Sequence, residues 1–323
     1  MLSPMSESFS PLILLAGPTA SGKSSLALAL AEALDGTVIN ADSMQVYRDL
    51  RILTARPTPA EEGRAPHRLY GVLDGNDVCS AARWADMAAE AAREAWAAGR
   101  LPILVGGTGF YMQALTEGLA AVPDIPPDIR AAARARLDEI GNAAFHDALA
   151  ARDPEMAARL DPGNSQRLAR AWEVLEATGR SLAWWQDQPP APPPLTARTF
   201  SIVLDPDRDA LRTAIDARFV AMVEAGARDE VRALLARTLP PDRSVMKAVG
   251  VPDLAAHLRG EIDLATAIAR AQAASRQYAK RQRTWLRHRM RADLMLPSLQ
   301  IAQQPERLAA ETKTFVRRFL LTG

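Results

Sequence analysis

Gly17, Pro18, Thr19, Ala20, Ser21, Gly22, Lys23 and Ser24 fill every fixed position of the pattern G-x-x-x-x-G-K-[ST]. The chemistry this spacing supports is anion capture. Glycines let backbone N–H groups turn inward around phosphate oxygens, and the N-terminus of a following helix adds a positive dipole end. Lys23 supplies a point charge, and the Ser24 hydroxyl a ligand for Mg²⁺. A merely glycine-rich turn explains neither Lys23 nor Ser24. The motif alone is compatible with nucleotide binding, ATP included, and specifies only a phosphate-bearing ligand. An NTPase or kinase ordinarily adds an apolar strand ending in Asp. Here Ile103, Leu104 and Val105 run straight into Gly106, Gly107 and Thr108, with no acid. Asp42 is the one acid well placed at a strand end, and it reads equally as a reactive carboxylate or as a capping or turn aspartate.

The elements that must hold these residues follow from apolar patterning. Residues 12–16 (LILLA) form a buried strand, 17–24 the loop, and 24–34 a helix of good helix formers. Residues 37–40 are a second strand leading to Asp42, 81–98 an Ala-rich amphipathic helix ended by Gly99, and 101–105 a third strand. This β-α-β-α-β order predicts a doubly wound α/β core: a P-loop NTPase-like parallel sheet with helices on both faces. Proline-dense stretches at 122–127 and 189–194 bracket a segment with helical patterns and no convincing strand. They predict a helical insertion, 123–194, hung on stiff linkers from a core made of 1–122 and 195–323. Residues 197–204 return as a strand, the remainder reads as helical, and there is no internal repeat.

Composition narrows the class. The 323 residues are 48% apolar and 24% charged with a formal net charge of +1, so any polyanion surface must arise by local clustering. Cys79 is the only cysteine, which excludes an internal disulfide and argues against a cysteine metal site. The apolar run near the N-terminus is far shorter than the roughly 20 residues a membrane span needs. These features predict a soluble cytoplasmic protein without a membrane segment.

GPTASGKS at 17–24, NADSMQVYRDL at 40–50, PHRLY at 66–70, LVGGTGFY at 104–111, NSQRLARAWEV at 164–174 and RQYAKRQRTWLRH at 276–288 occur together and in order. In this set the chain resembles the tRNA dimethylallyltransferase family over about residues 11–290. The resemblance implies transfer of a dimethylallyl group from dimethylallyl diphosphate to N6 of adenosine 37 in the tRNA anticodon loop. It implies that the phosphate loop, with Mg²⁺, holds the diphosphate of the prenyl donor, and that a P-loop core bears a helical insertion gripping the anticodon stem-loop. The expected partners are therefore tRNA and dimethylallyl diphosphate, bound by a monomer. The chain departs from the family at residues 51–57 (RILTARP, where DIGTAKP is usual) and at 249–252 (VGVP, where GY and a basic residue are common).

An exocyclic adenine amine is a poor nucleophile, so a carboxylate must take the N6 proton as the C–N bond forms. Asp42 matches the family's base. Departure of diphosphate needs its developing charge neutralised, which Lys23, Ser24 and the loop amides serve, with Thr19 and Thr108 as hydroxyl donors. Thr108 has a turn residue as its plain alternative. Arg218 lies on an amphipathic helix with Ile215, Phe219 and Met222, where a solvated arginine would be ordinary; it matches the family's diphosphate clamp.

For RNA, the resemblance implies contacts from Asp42, Ser43, Met44, Gln45 and Thr108 at the target base. It implies others from Gln166, Arg167, Leu168, Ala169 and Arg170 in the insertion, with Arg130 a weaker candidate. Tyr47 reads as buried. Residues 264–292 contain no acid but many Lys and Arg, with Tyr278 and Trp285 interleaved, which favours phosphate binding over a merely solvated face. Trp184 and Trp185 read as packing, His67 and His146 as isolated from any ligand cluster, and Cys79 as a small buried apolar residue. The competing functions are an adenylate isopentenyltransferase acting on free nucleotide and a P-loop small-molecule kinase.

Overall fold

The structure, a computed structural model, describes residues 10–297 and 305–322. Along the chain come β1 (Pro11–Ala16), α1 (Lys23–Leu34), β2 (Gly36–Asn40), α2 (Pro59–Glu62), β3 (His67–Arg68), α3 (Ala81–Ala97), β4 (Leu101–Gly106) and α4 (Gly109–Thr116). Next are α5 (Pro127–Arg152), α6 (Pro154–Ala158), α7 (Ser165–Thr178) and α8 (Leu182–Asp187). The chain then returns through β5 (Arg198–Leu204), α9 (Arg208–Glu224), α10 (Ala227–Ala236), α11 (Val251–Leu258), α12 (Leu264–Arg289), β6 (Leu294–Leu296) and α13 (Pro305–Leu321). Two compact units result: Met1–Thr116 with Pro194–Gly323, and Glu117–Pro193.

In the first unit six strands form one parallel sheet in the order β3-β2-β4-β1-β5-β6. Parallel strands buried on both faces need continuous apolar runs. Leu12, Ile13, Leu14 and Leu15 in β1 and Ile103, Leu104 and Val105 in β4 meet that need, each almost wholly buried. Leu26, Leu30, Ala27, Ala29 and Ala31 of α1 pack onto the sheet, joined by Ala309 and Val316 of α13. Because every strand runs the same way, all carboxyl ends lie on one edge, and the loops after β1, β2 and β4 converge there.

Two strands lie outside the sequence expectation. β3 is a two-residue edge strand, and β6 pairs beside β5, so the chain after 204 is not wholly helical. Both are too short to show an apolar period.

The second unit is helical, around Phe145, Leu149, Leu168 and Trp172. Trp172 takes the guanidinium groups of Arg136 and Arg152 over its ring, each 4.7 Å from the centroid. Within α5, Gly141 (φ 74°, ψ 167°) interrupts the helical path, a conformation open mainly to glycine.

Candidate active site

The phosphate loop leaves β1 at Gly17, whose N–H donates to the Gly106 carbonyl at 3.4 Å. Ala20 (φ 62°) and Gly22 (φ 85°) take left-handed conformations that turn the loop into α1. Gly22 caps α1 without a side-chain hydrogen bond. The first helical amides are therefore free to meet an anion, as helix N-termini do. Lys23 opens the helix and reaches back to the Pro18 carbonyl at 3.2 Å. Burial pulls its pKa down from 10.5 to about 8; Asp42 opposes the fall and Arg218 adds to it. Ser24 is exposed in the first turn, while Ser21 is fully buried with an unpartnered Oγ.

The Asp42 loop is built from the end of β2. Asn40 Oδ1 accepts the Asp42 N–H at 2.8 Å, and Asn40 Nδ2 donates to the Asp42 and Leu69 carbonyls at 3.0 and 3.1 Å. Asp42 Oδ1 accepts the Met44 N–H at 2.9 Å, which fixes the carboxylate's orientation. Thr108, in the short loop between β4 and α4, accepts the Ser43 N–H on Oγ1 at 3.2 Å and donates its own N–H to the Ala41 carbonyl at 3.3 Å. A Cβ on Gly106 would stand 2.0 Å from the Ala41 carbonyl oxygen, so only glycine lets the two loops lie this close.

Asp42 acts electrostatically on Lys23 and on Arg218 of α9, whose guanidinium is shifted down by burial and back up by that carboxylate. Tyr70, Tyr111 and Tyr278 are all pushed up, chiefly by burial, with Asp42 adding to each. The structure thus brings Lys23, Asp42, Thr108 and Arg218 to one carboxyl edge of the sheet. Their arrangement places a carboxylate opposite a cationic anion cradle. Among the described residues no group of three or more His, Cys, Asp or Glu side chains converges as a metal-binding cluster.

Sequence reasoning read α12 only as a basic, phosphate-binding helix and passed over its inward face, which reaches the phosphate loop through Gln282. Gln282 and Ala279 are buried there, and Gln282 Oε1 accepts the Thr19 N–H at 2.8 Å. Tyr278 lies against Thr108 and Gln282. A Cβ on Gly109 would come within 2.0 Å of the Trp285 ring. The available signal was the stripe Tyr278, Gln282, Trp285, at helical spacing inside an otherwise basic run.

The basic charge of α12 is partly internal. Arg276 pairs with Asp216, and Arg283 and Arg287 flank Asp205 at 2.6 and 3.8 Å. The run is one-signed along its own helix only. An open groove of about 870 Å³ between α9 and α12 still gathers Arg208, Arg212, Arg276, Lys280, Arg283 and Arg287.

The remaining expectations divide. Gln45 spends its Nε2 on the Thr54 and Ala55 carbonyls, and Tyr47 is 1% exposed. In the helical unit Gln166 and Arg167 are exposed at the start of α7, Arg130 is exposed on α5, and Arg170 lies 3.6 Å from Glu173. Leu168 and Ala169 do not belong with them. They are 0% and 7% exposed in that unit's core, so the matching sequence there is packing rather than a contact surface. Trp185 packs against the same core, whereas Trp184 is an exposed ring under Arg180. Cys79 is half-exposed, not buried. His67 and His146 each bond a backbone carbonyl. The divergent residues after Leu50 are held from within: the Glu230 carboxylate accepts the N–H groups of Arg51, Ile52 and Leu53.

A parallel sheet with a phosphate loop on its carboxyl edge and helices around it is the P-loop NTPase-like class. Within that class, the family model described as IPP transferase matches residues 45–289, and the chain belongs to this family. It is 55% identical over 324 residues to the tRNA dimethylallyltransferase of Rhodospirillum rubrum, covering 100% of this chain and 99% of the relative. It is 57% identical over 319 residues to that of Paramagnetospirillum magneticum, covering 99% of this chain and 100% of the relative. Among solved structures it resembles the full-length tRNA isopentenylpyrophosphate transferase from Bacillus halodurans (TM-score 0.68, 31% identity, 97% of this chain and 99% of that one). It also resembles a eukaryotic dimethylallyltransferase described as acting on tRNA (TM-score 0.77, 25% identity, 96% of this chain and 80% of that one).

Proposed function

We propose that the chain is a tRNA dimethylallyltransferase that prenylates N6 of adenosine 37 in the anticodon loop. The reading rests on Asp42, at the carboxyl end of β2, lying close enough to Lys23 of the phosphate loop and to Arg218 to act on both electrostatically. Asp42 Oδ1 is held by Met44, and Oδ2 takes no hydrogen bond from the described residues. That leaves one carboxylate oxygen to accept the N6 proton as the N6–C1 bond forms. The C1–O bond of dimethylallyl diphosphate breaks in the same step, and its electron pair leaves with diphosphate. Lys23, Arg218 and the first amides of α1 stabilise that departing charge.

Ser24 would hold Mg²⁺ together with diphosphate oxygens and water, the habit of this ion at phosphate sites. The ion supplies neutralisation of phosphate charge. Thr108 holds the Ser43 amide and so sets the angle of the Asp42 loop. Gln166, Arg167, Arg170 and Arg130 are charged or polar groups suited to the anticodon stem-loop.

The test is incubation of the protein with labelled dimethylallyl diphosphate, Mg²⁺ and either tRNA, AMP or ATP. Label on tRNA alone is expected. Label on AMP but not on tRNA would sink the reading in favour of free-nucleotide prenylation.

A further inference from the structure

Gln282 is 5% exposed, yet its amide is polar at both atoms. The Oε1 side is satisfied by the Thr19 N–H at 2.8 Å. The Nε2 side is buried and makes no hydrogen bond of good geometry, although the Tyr278 side chain lies beside the amide. A Cβ built on Gly107 would stand 2.0 Å from this Nε2 and 3.2 Å from the Gly17 carbonyl oxygen. The amide is therefore wedged where the phosphate loop meets the loop after β4. Thr19 directly precedes Ala20, which turns through a left-handed conformation (φ 62°) that alanine adopts reluctantly. Holding the Thr19 amide fixes the loop at its point of strain.

A buried donor without an acceptor is unfavourable, and an apolar side chain of the same shape would escape that penalty. A glutamine placed here makes sense if its acceptor comes with the ligand. We propose that Gln282 is a positioning residue for the prenyl donor: Oε1 holds the turn of the phosphate loop, and Nε2 donates to an anionic oxygen of bound diphosphate. The inference rests on the donor reading above and adds a residue from the far end of the chain to it.

The experiment is calorimetric titration of the full chain with inorganic diphosphate and Mg²⁺, beside KM for dimethylallyl diphosphate and Kd for tRNA. Gln282→Met keeps the shape and removes both polar atoms. It should weaken diphosphate binding and raise the donor KM by about tenfold or more, the worth of one hydrogen bond to a charged group. The tRNA Kd should not move. Gln282→Glu keeps an acceptor for Thr19 but turns the donor into a carboxylate oxygen. Its diphosphate binding, relative to wild type, should be weak at pH 8 and recover towards pH 5 as the carboxyl regains an O–H; a merely structural role gives no such recovery. Unchanged diphosphate affinity in Gln282→Met, or a Gln282→Glu variant whose deficit ignores pH, overturns this inference alone. A wild-type chain that binds no diphosphate overturns the donor reading and this inference with it.

Discussion

Lys23 stands in the field of Asp42, yet burial lowers its pKa by more than that carboxylate restores, leaving it near 8 against an ordinary 10.5. Below pH 8 the ammonium is charged in both the folded and unfolded chain, and the folded state bears the cost of desolvating it. Between 8 and 10.5 the unfolded chain holds more protons, so this residue's contribution to stability rises with pH. Lys23→Met should therefore stabilise the fold at pH 7 by about 1–3 kcal/mol, with the advantage shrinking as pH rises through that window. Denaturant titrations at pH 7 and pH 10 check it. The same variant should lose donor binding, a stability gain bought from function.

Wild-type donor affinity should follow the opposite course. As pH rises through about 8 the free protein loses the Lys23 charge, and diphosphate binding should weaken. Calorimetry from pH 7 to pH 9 reads this directly, and Lys23→Arg should flatten the fall because a guanidinium keeps its charge.

Asp42→Asn retains an acceptor oxygen for the Met44 amide but removes the base. Its single-turnover transfer rate should drop by about 10²–10⁴-fold, the usual range for a general base, with tRNA affinity nearly intact. A large loss of tRNA binding alongside residual transfer would make Asp42 a recognition residue instead.

Glu230 should matter although it lies on α10 and outside the reacting groups. Its carboxylate accepts three consecutive backbone N–H groups, from Arg51 to Leu53. Glu230→Ala leaves those donors with water or nothing, at a cost of about 1–3 kcal/mol. Equilibrium unfolding measures it, and accelerated hydrogen exchange confined to residues 51–53 would localise it.

Lys280, Arg208 and Arg212 line the groove between α9 and α12, and no ion pair to another described residue occupies them. If RNA phosphates reach this groove, Lys280→Gln should reduce the slope of log K against log salt for tRNA by about 0.7–0.9, the signature of one lost phosphate contact. Arg283→Gln should do less, because Asp205 already partners that arginine.

Much of the core is legible in the sequence because buried parallel strands need unbroken apolar runs, and residues 12–16 and 101–105 supply them. Asp42 could be located from residue order alone, since it follows the second such run. The nearness of Arg218 to Asp42 could not: it depends on how α9 packs against α10 and α12, which no local pattern encodes. β3 and β6 escape notice because strands of two and three residues have no measurable period. Leu168 and Ala169 show a different failure. Read as part of a motif they look like contacts, whereas the spacing Leu168, Ala171, Trp172 and Leu175 already describes a core-facing stripe. Gln282 was hidden by its neighbours, since a run rich in Arg and Lys draws attention to charge rather than to a neutral amide turned inward.

The strand order has a consequence for synthesis. β1 lies at the middle of the sheet, between β4 and β5, and the polypeptide that separates those two strands forms a unit of its own. A nascent chain that has emerged as far as α4 already contains the phosphate loop, Asp42 and Thr108. One flank of β1 is still bare at that moment, and Arg218 and Gln282 have yet to be translated. The ribosome must release nearly the whole polypeptide before the cradle can close, so a message truncated after the helical unit would yield a sticky partial sheet, lacking β5 and β6, rather than a weak enzyme.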